Sequence, residues 1–510
     1  MISVSDREWK EKKVNKRLVE KIEQEYNFSK IVSKLIVSRK FNKEEIYLIN
    51  NNLKLPNFFQ NNLDFINSVN LVEKSIKNKE KICIFGDYDV DGSTSTSLLV
   101  RFFQSINHPN FYYIPDRVKD GYGASIGVFK KIILQKPKLV IMVDCGSTSK
   151  DAINYLNKKN IKSLIIDHHE INKPYPEANV IINPKKNNGY LEYDYLCAAT
   201  LTFFFLEMLI KKMKYKIDLK KYLINVLLAT VCDVMPLRKL NRLIAKKVID
   251  EFKITENKVF KELYEINKKK NKISINDLGY LIGPILNAGG RLGKSSYATE
   301  LLSTENQNLI NKRSLELISL NEKRKKIEDI TLKNIDFKNL ENQNKNVIIY
   351  YNPNINEGLI GIIASRLKDF FNKPSMVITN SNNILKGSAR SIYEYNIGRV
   401  IKLSLDRNLI INGGGHNMAA GFSLKKDNLS NFKLFVNNDY LKNDIYSNNF
   451  YTYDFEASSS ALNKEFYNDI KKMEPFGVGN PLPTFFFKDL TILKSSILNK
   501  KHVSCILKSK

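Results

Sequence analysis

Acidic residues and histidines follow directly after short apolar runs at four places in this chain. The runs lie in KICIFGDYDVDG (81–92), KLVIMVDCGS (138–147), IKSLIIDHHE (161–170) and NVLLATVCDVMPL (225–237). Such a run, bounded by glycine and polar residues, predicts a buried parallel strand, and ligands in open α/β sheets bind beyond the carboxyl ends of these strands. We therefore expect the following side chains to converge at one place: Asp87, Asp89, Asp91, Asp144, Asp167, His168, His169 and Asp233.

The residue types in this group predict a site for divalent metal ions. Carboxylates crowded together repel one another, and a divalent cation removes that repulsion. The chain has only five histidines, yet two of them stand side by side after Asp167. Mixed carboxylate and imidazole ligands suit Mn²⁺ or Mg²⁺ better than Zn²⁺, which favours thiolates and several imidazoles. So many ligands favour two ions, which in phosphoryl transfer stabilise both the attacking and the leaving oxygen.

The segment DYDVDG has two simpler interpretations. It matches the opening of an EF-hand calcium loop, but that loop needs a glutamate at its twelfth position, where this chain has Leu98. Aspartates after a strand also cap the following helix. Ser93 and Thr94 can supply that chemistry, so three alternating aspartates exceed what a cap needs. If the segment is extended, its alternation directs all three carboxylates to one side.

Three glycine-containing segments are candidates to hold phosphate. AGGRLGKS (288–295) is close to a P-loop, but Pro284 is unfavourable in the strand that must precede such a loop, so we disfavour an ATPase and keep Arg291 as a phosphate contact. GSARS (387–391) and NGGGHNMAAGF (412–422) each have the composition of a plain turn. Together, in one small domain of a basic protein, they favour a polyphosphate site, because glycines let main-chain amides approach an anion closely.

The bulk composition agrees with a polyanionic partner. The net charge is +28 at pH 7 over 510 residues, although a general richness in Lys, Asn and Ile accounts for part of it. No segment reaches the roughly 18 apolar residues of a membrane span, and the charged N-terminus does not resemble a signal peptide. The five cysteines form no CxxC pair, which is typical of buried thiols in a reducing cytoplasm.

The apolar spacing predicts several successive units. Residues 1–75 are expected to be helical, and residues 81–235 alternate between strand and helix, as in a doubly wound parallel sheet. We expect strands at 81–86, 111–115, 138–143, 162–166 and 179–182, and mostly helix over 197–270. A long helix over 306–335 should connect this unit to a second α/β unit at about 345–440, with an Asn-rich linker at 337–346. The last 60 or so residues are β-rich.

The order of these motifs resembles the DHH phosphoesterase superfamily. The segments YIPDRVKDGYG (113–123), IINPK (181–185), GPILNAGGRLG (283–293) and EPFGVGNPLPTF (474–485) are similar to its branch of single-strand-specific DNA exonucleases. The resemblance covers about residues 75–510. After the helical N-terminal region (1–75), it implies a doubly wound DHH catalytic domain (76–305), a connecting helix (306–340), a smaller α/β DHH-associated domain (341–445) and an OB-like domain (446–510). Only 34 residues follow Phe476, so we expect that last domain to be incomplete, because an OB barrel has five strands.

The resemblance also implies roles for the residues. Asp89 and Asp144 would hold one manganese or magnesium ion, and Asp144 would bridge to a second ion held also by Asp91, His168 and Asp233. Asp87 would be a further ligand or would support the ligands, Asp167 would orient the imidazoles, and His169 would face the scissile phosphate. Phosphates would be held between the two α/β domains by Arg117, Arg291, Ser388, Arg390, Gly414, Gly415 and His416.

The implied activity is stepwise 5′→3′ hydrolysis of single-stranded DNA to 5′-mononucleotides, in DNA repair and recombination in the cytoplasm. A helicase and a single-strand-binding protein are candidate partners from the resemblance alone. Two alternatives belong to the same superfamily. One is a phosphodiesterase or phosphatase for short oligoribonucleotides or small nucleotides, which the long N-terminal region and OB-like tail disfavour. The other is a non-catalytic replication scaffold, which the complete set of predicted metal ligands disfavours.

Overall fold

The fold is available as a computed structural model. It describes residues 8–51, 55–116, 120, 123–186, 190–269, 272–343, 346–381, 383–442, 450–498 and 502–509. Arg117, expected to hold phosphate, lies outside these residues.

The N-terminal region consists mainly of helices, as expected. Its elements are β1 (Glu8–Glu11), α1 (Lys16–Tyr26), α2 (Lys30–Ser38), α3 (Lys43–Asn50) and α4 (Leu63–Lys77). Asparagine or serine caps the start of each of these helices and accepts a hydrogen bond from a main-chain amide of the first turn. The capping residues explain why the chain starts a new helix at each of these points.

The first α/β unit follows and is organised around a parallel sheet. Its elements are β2 (Ile82–Gly86), α5 (Val90–Ser105), β3 (Asn110–Tyr113), α6 (Ile126–Ile132), β4 (Leu139–Val143), α7 (Lys150–Lys158), β5 (Lys162–Ile166), β6 (Val180–Ile182), α8 (Ala198–Met213), α9 (Leu223–Cys232), α10 (Lys239–Glu251), α11 (Lys258–Ile266), α12 (Ile275–Asp277), α13 (Gly283–Arg291) and α14 (Tyr297–Ser303). The strand order is β3-β2-β4-β5-β6, and every neighbouring pair is parallel. All five predicted strands are therefore confirmed.

Helices bury both faces of this sheet. Ile84 of β2 packs into a core that includes α5, α8 and α9, whereas Phe85 packs on the opposite face with Phe129 of α6 and Ile153 of α7. Because successive side chains of a strand point to opposite faces, a strand covered on both sides must be apolar at every position. This explains the continuous apolar runs that precede the acidic residues.

The fourth apolar run is not a strand, so the interpretation of residues 225–237 as a strand end was wrong, whereas the prediction of mostly helix over 197–270 is confirmed. Most of it lies in α9, and Asp233 is the residue that ends the helix. The residues of α9 from Leu223 to Thr230 are all buried, and an apolar segment buried on all sides has no periodicity that separates helix from strand.

The connecting helix and the second α/β unit come next. Their elements are α15 (Gln307–Lys333), α16 (Phe337–Gln343), β7 (Ile348–Tyr351), α17 (Ile360–Phe371), β8 (Ser375–Ser381), β9 (Ile384–Arg390), α18 (Ile397–Asp406), β10 (Asn412–His416), β11 (Ala419–Leu424) and α19 (Leu429–Lys442). The sheet order is β10-β11-β9-β8-β7, with β7 and β8 parallel and the other pairs antiparallel.

Two local predictions for this part were wrong. The Asn-rich segment 337–346 was expected to be a linker, but α16 occupies most of it, and Leu340 is buried there. GSARS and NGGGH were expected to be turns, but they lie in β9 and β10, which both pair with β11. Small residues are depleted in strands in general, so composition alone favoured turns.

The C-terminal region contains short strand pairs and packs on the N-terminal region. Its elements are β12 (Phe450–Tyr453), β13 (Phe455–Glu456), α20 (Lys464–Lys472), β14 (Phe485–Phe486), β15 (Leu490–Leu498) and β16 (His502–Ser509). The strand β1 pairs in parallel with β12, and Met473 is buried in one cluster with residues of α1 and α2. Within the described parts of the chain, no helix has the length and apolar character needed to cross a membrane.

A buried arginine joins the first α/β unit to the C-terminal region. Arg242 of α10 is fully buried, and its guanidinium donates to the main-chain oxygens of Met473 (3.1 Å), Glu474 (2.9 Å) and Pro475 (3.4 Å). The same group lies 5.1 Å from the centre of the Phe41 ring. A buried charge needs hydrogen-bond partners, and both Nη atoms of Arg242 have them, whereas Nε has none among the described residues.

Replacing Arg242 should therefore lower the stability of the folded chain. We expect Arg242→Met to lower the free energy of unfolding by about 2 kcal/mol, because three hydrogen bonds of the guanidinium are lost while Asn480 remains a donor to the oxygens of Met473 and Pro475. Chemical denaturation followed by circular dichroism measures the loss. Lys253→Ala, at an exposed ion pair, is the control and should change the free energy by less than about 0.5 kcal/mol. Equal effects of the two substitutions would contradict this role of Arg242.

Candidate active site

Three of the predicted site residues stand at the carboxyl ends of neighbouring parallel strands. Gly86, Val143 and Ile166 are paired across β2, β4 and β5, so Asp87, Asp144 and Asp167 are each the next residue at the same edge of the sheet. Asp144 has a φ of +59°, a left-handed conformation that aspartate and asparagine adopt more readily than other side chains. Such a conformation at the end of a buried strand is typical of a functional site.

The segment DYDVDG turns into a helix at once, so the expectation of an extended segment with three aligned carboxylates was wrong. Asp89 itself caps α5, and its side chain accepts a hydrogen bond from the Gly92 amide at 3.0 Å. Gly92 is required here, because a Cβ atom would lie 2.5 Å from the main-chain oxygen of Asp87. Asp91 lies inside the first turn, and the turn directs it differently from Asp87 and Asp89.

Asp91 is held by the start of another helix. The amides of Ala198 and Ala199, at the N-terminus of α8, donate to its two oxygens at 2.7 and 2.8 Å. The positive end of the helix dipole stabilises a carboxylate in this position. Burial and the charge of Asp89 nevertheless raise the pKa of Asp91 to about 6.

His168 is the centre of the cluster. Its Nε2 atom lies 3.3 Å from Asp144, 3.4 Å from Asp233 and 3.7 Å from Asp91, measured to one carboxylate oxygen of each. Burial, followed by the charge of His169, lowers the pKa of His168 to about 3. The imidazole is therefore neutral near pH 7, which is the form that ligates metals.

Asp167 organises the loop that carries both histidines. One of its oxygens accepts from the amides of His168 (2.8 Å) and His169 (3.2 Å) and lies 2.8 Å from His169 Nδ1, while the other accepts from the Ser147 amide at 3.0 Å. Burial alone would raise the pKa of Asp167, but the charge of His169 and these hydrogen bonds lower it. Burial alone would lower the pKa of His169, but Asp167 raises it to about 9, so this imidazole is cationic.

The arrangement of donor atoms fits divalent cations. Three groups of side chains could each hold a metal ion, because within each group the ligand atoms lie within 4.8 Å of one another. The groups are Asp87–Asp89–Asp144, Asp91–His168–Asp233 and Asp144–His168–His169. Asp144 Oδ1, His168 Nε2 and Asp233 Oδ2 are buried and have no hydrogen-bond partner among the described residues. Burial and mutual charge raise the pKa values of Asp144 and Asp233 well above the usual range. Buried, unsatisfied, like-charged oxygens around a neutral imidazole are what two neighbouring cations would neutralise.

One residue of the site was missed by the sequence reasoning. Asn183 is fully buried after β6, and its Nδ2 atom donates to Ser147 Oγ at 2.7 Å and to the main-chain oxygen of His169 at 2.9 Å. It thereby fixes the loop that presents both histidines. The polar Asn-Pro step directly after the predicted strand at 179–182 was the signal that could have revealed it.

The second α/β unit forms the opposite wall of the site. The ring centres of His169 and His416 are 6.3 Å apart, and His416 Nδ1 lies 3.8 Å from Glu170. Arg291, at the end of α13, donates from Nη1 to the main-chain oxygen of Gly358 at 3.1 Å. Arg291 and His416 thus belong to a cleft that both units line. The helix over 283–291 also excludes a P-loop at AGGRLGKS, because Gly289 and Gly290, the glycines that would begin such a loop, lie inside that helix.

Ser388 and Arg390 share one face of the mixed sheet with the glycine-rich hairpin. Ser388 is paired with Gly421 and then Gly414, and Arg390 with Ala419 and then His416, so these rows point to the same side. Arg390 Nη1 donates to Ser388 Oγ at 3.1 Å. At Gly414 a Cβ atom would meet no described atom within 4 Å, so the bare strand leaves room for a ligand. Gly415 differs, because a Cβ there would lie 2.3 Å from the Ala419 oxygen.

Comparison with known proteins identifies the family. Family models described as "DHH family, N-terminal domain", "DHHA1 domain" and "RecJ OB domain" match residues 81–231, 344–441 and 453–510. The chain is 32% identical over 467 residues to the single-stranded-DNA-specific exonuclease RecJ of Haemophilus influenzae, which covers 87% of this chain and 81% of that protein. The chain belongs to the RecJ family. The RecJ protein of Bacillus subtilis is 26% identical over 98% of this chain and 64% of its own length.

Solved structures of RecJ proteins share the fold. The RecJ structure from Thermus thermophilus in complex with Mn²⁺ superposes with a TM-score of 0.82 at 21% identity, over 99% of this chain and 73% of that one. A manganese-bound exonuclease RecJ structure gives a TM-score of 0.63 at 25% identity, over 76% of this chain and 96% of that one. The α/β DHH domain with its parallel sheet, the mixed sheet of the DHHA1 domain and the C-terminal OB domain are therefore family features.

Metal binding should reverse the effect of a charge-removing substitution. In a chelator we expect Asp144→Asn to raise the melting temperature, because it removes one of several buried like charges and asparagine keeps the left-handed conformation. With Mn²⁺ at 100 times its Kd, the wild type should gain about 2.7 kcal/mol and the variant much less. Calorimetric titration and thermal melting measure both effects. Asp151→Asn, on the exposed side of α7, is the control and should be stabilised by Mn²⁺ as much as the wild type. Equal stabilisation of Asp144→Asn and Asp151→Asn by Mn²⁺ would contradict Asp144 as a ligand.

Proposed function

We propose that this chain is a metal-dependent exonuclease that degrades single-stranded DNA from the 5′ end to 5′-mononucleotides, in DNA repair and recombination. One observation carries the proposal: buried and unsatisfied atoms of Asp144, His168 and Asp233 converge in a chain of the RecJ family. Every predicted carboxylate and both histidines lie in or beside that cluster. A non-catalytic scaffold has no need of such a group, because its repulsion costs stability without a cation.

The cluster divides into two ligand sets around Asp144. Asp89 and Asp144, with Asp87 beside them, would hold one manganese or magnesium ion, and Asp91, Asp144, His168 and Asp233 would hold the second. Bound at these positions, two cations would activate a water and stabilise the attacking and leaving oxygens of the phosphodiester. The amides of Ala198 and Ala199 keep Asp91 in place, and Asp167 holds His169 by a hydrogen bond at 2.8 Å. The cationic His169 then faces the phosphate and offsets its charge.

The opposite wall would bind the DNA backbone. Arg291, Ser388, Arg390 and His416 would supply donors from two sides of the cleft. Gly414 leaves room for an anion, and Gly415 lets β10 pack closely on β11 beside it. Arg117 would add a further contact. The two walls approach closely, since the ring centres of His169 and His416 are 6.3 Å apart, and this leaves no room for a duplex between them. The net charge of +28 supports a nucleic-acid partner. A cytoplasmic location, a helicase partner and a single-strand-binding partner belong to the same proposal.

The reaction can be tested with end-labelled 40-nucleotide strands in Mn²⁺. We expect immediate release of a labelled mononucleotide from a 5′-labelled single strand and none from a blunt duplex, because only a single strand fits the cleft. Asp144→Asn should lower the rate by at least about 10³-fold, because it removes the ligand shared by both metal positions. Asp151→Asn should keep the wild-type rate. Hydrolysis of only a short oligoribonucleotide would instead indicate the small-substrate enzyme.

The phosphate contacts can be tested separately from the metal cluster. We expect Arg390→Gln to raise KM for the strand about 10- to 100-fold, because a charge-assisted hydrogen bond to phosphate is lost. The slope of log affinity against log salt concentration should fall by about 0.7, the value for one phosphate contact on a single strand. Lys402→Gln is the control, since that exposed residue lies on α18, which packs on the other face of the sheet against Phe422. An unchanged salt slope in Arg390→Gln would contradict this assignment.

A further inference from the structure

A cavity of about 600 Å³ lies beside the catalytic cluster, between the two α/β units. Its wall includes Cys232, the residue before Asp233, and Arg291 from the proposed phosphate site. Helices α15 and α17 supply the other side through Arg324 and Arg366. The cavity therefore shares Arg291 with the proposed phosphate site and is bordered by residues of both α/β units.

An exposed aromatic side chain lines this cavity. Tyr280 has 85% of its surface exposed although it borders a cavity, and it lies in a π-helical turn over Leu278–Ile282, directly before α13. A π-helical turn inside a helix is rare and is frequent at functional sites. Gly283 lets this turn pack closely against α9, because a Cβ there would lie 2.4 Å from Cys232 Sγ. Tyr280 itself contributes little to the core, so packing alone does not account for its position.

The charged residues of the cavity are predominantly cationic. Four are basic (Arg291, Arg324, Lys325 and Arg366) and two are acidic (Glu328 and Asp329). Glu328 accepts from Arg324 Nη1 at 2.8 Å and from Arg366 Nε at 2.7 Å, which orients the two guanidinium groups from α15 and α17 toward each other. A guanidinium has five N–H donors, so one carboxylate leaves donors available for phosphate.

We propose that this cavity is a nucleotide subsite for the single strand, in which the ring of Tyr280 stacks on one base and Arg324 and Arg366 face the adjacent phosphate. Proteins that bind single strands without sequence preference combine basic grooves with aromatic rings in this way, since every base offers a stacking face. The inference rests on the proposed function and adds a binding element to it. It assigns Tyr280 to affinity for the strand and not to the chemical step.

The test compares steady-state kinetics of Tyr280→Ala and Tyr280→Phe on a 20-nucleotide single strand. Loss of one stacked base should raise KM about 5- to 150-fold in Tyr280→Ala, with kcat within about twofold of the wild type. Tyr280→Phe should stay within about twofold in both constants, because the stacking ring is kept. Tyr47→Ala, which removes a half-exposed tyrosine from α3, is the matched control and should change nothing.

An abasic scan separates stacking from a merely structural role. A strand lacking the base at one of its first six nucleotides should raise the wild-type KM by a similar factor, and the same strand should cause no further loss in Tyr280→Ala. Additive losses, a KM of Tyr280→Ala within twofold of the wild type, or a Phe variant as impaired as the Ala variant would each overturn the subsite. Failure of the proposed function would look different, because the wild type itself would then leave the strand intact.

Discussion

Repulsion between buried carboxylates is the constraint on which the rest of this structure depends. Asp91, Asp144 and Asp233 each place an oxygen within 3.7 Å of His168 Nε2, in surroundings where burial raises their pKa values. The N-terminus of α8 offsets part of the free energy of this repulsion, because two of its main-chain amides donate hydrogen bonds to Asp91. The remaining unsatisfied oxygens are suited to divalent cations, and the scaffold must be rigid enough to hold them together without one.

Rigidity comes from the parallel sheet and from the way the second unit is attached. The sheet is apolar on both faces, so a shift of one strand would disturb two cores at once. Contacts of the second unit near the site include the His416–Glu170 pair, the ring contact of His416 with His169 and the Arg291–Gly358 hydrogen bond. The Glu328–Arg366 ion pair joins α17 to the connecting helix α15. Catalysis that depends on positioning needs this fixed separation, because phosphate contacts on one wall must match the metal ligands on the other.

Much of the fold and of the candidate site could be predicted. Strands bounded by polar residues are recognisable when both of their faces are buried, and all five strands of the first sheet lie within a few residues of their predicted limits. The helix α9 was harder, because a helix buried on all sides shows the same apolar run as a buried strand. The prediction of an extended conformation for DYDVDG was also wrong, because Asp89 caps a helix that begins at the next residue, Val90.

The sequence alone determined which residue types stand at the ends of the strands, because an apolar run followed by aspartate or histidine reflects local burial and local polarity. Its motif order also determined the family. Only the tertiary structure decided what those residues experience. Asp91 accepts hydrogen bonds from Ala198 and Ala199, which stand 107 and 108 positions further along the chain. The neutral state of His168 follows from its burial among elements that are distant in sequence. Electrostatic environment depends on the sum of such long-range contacts, and no local pattern of residues records that sum.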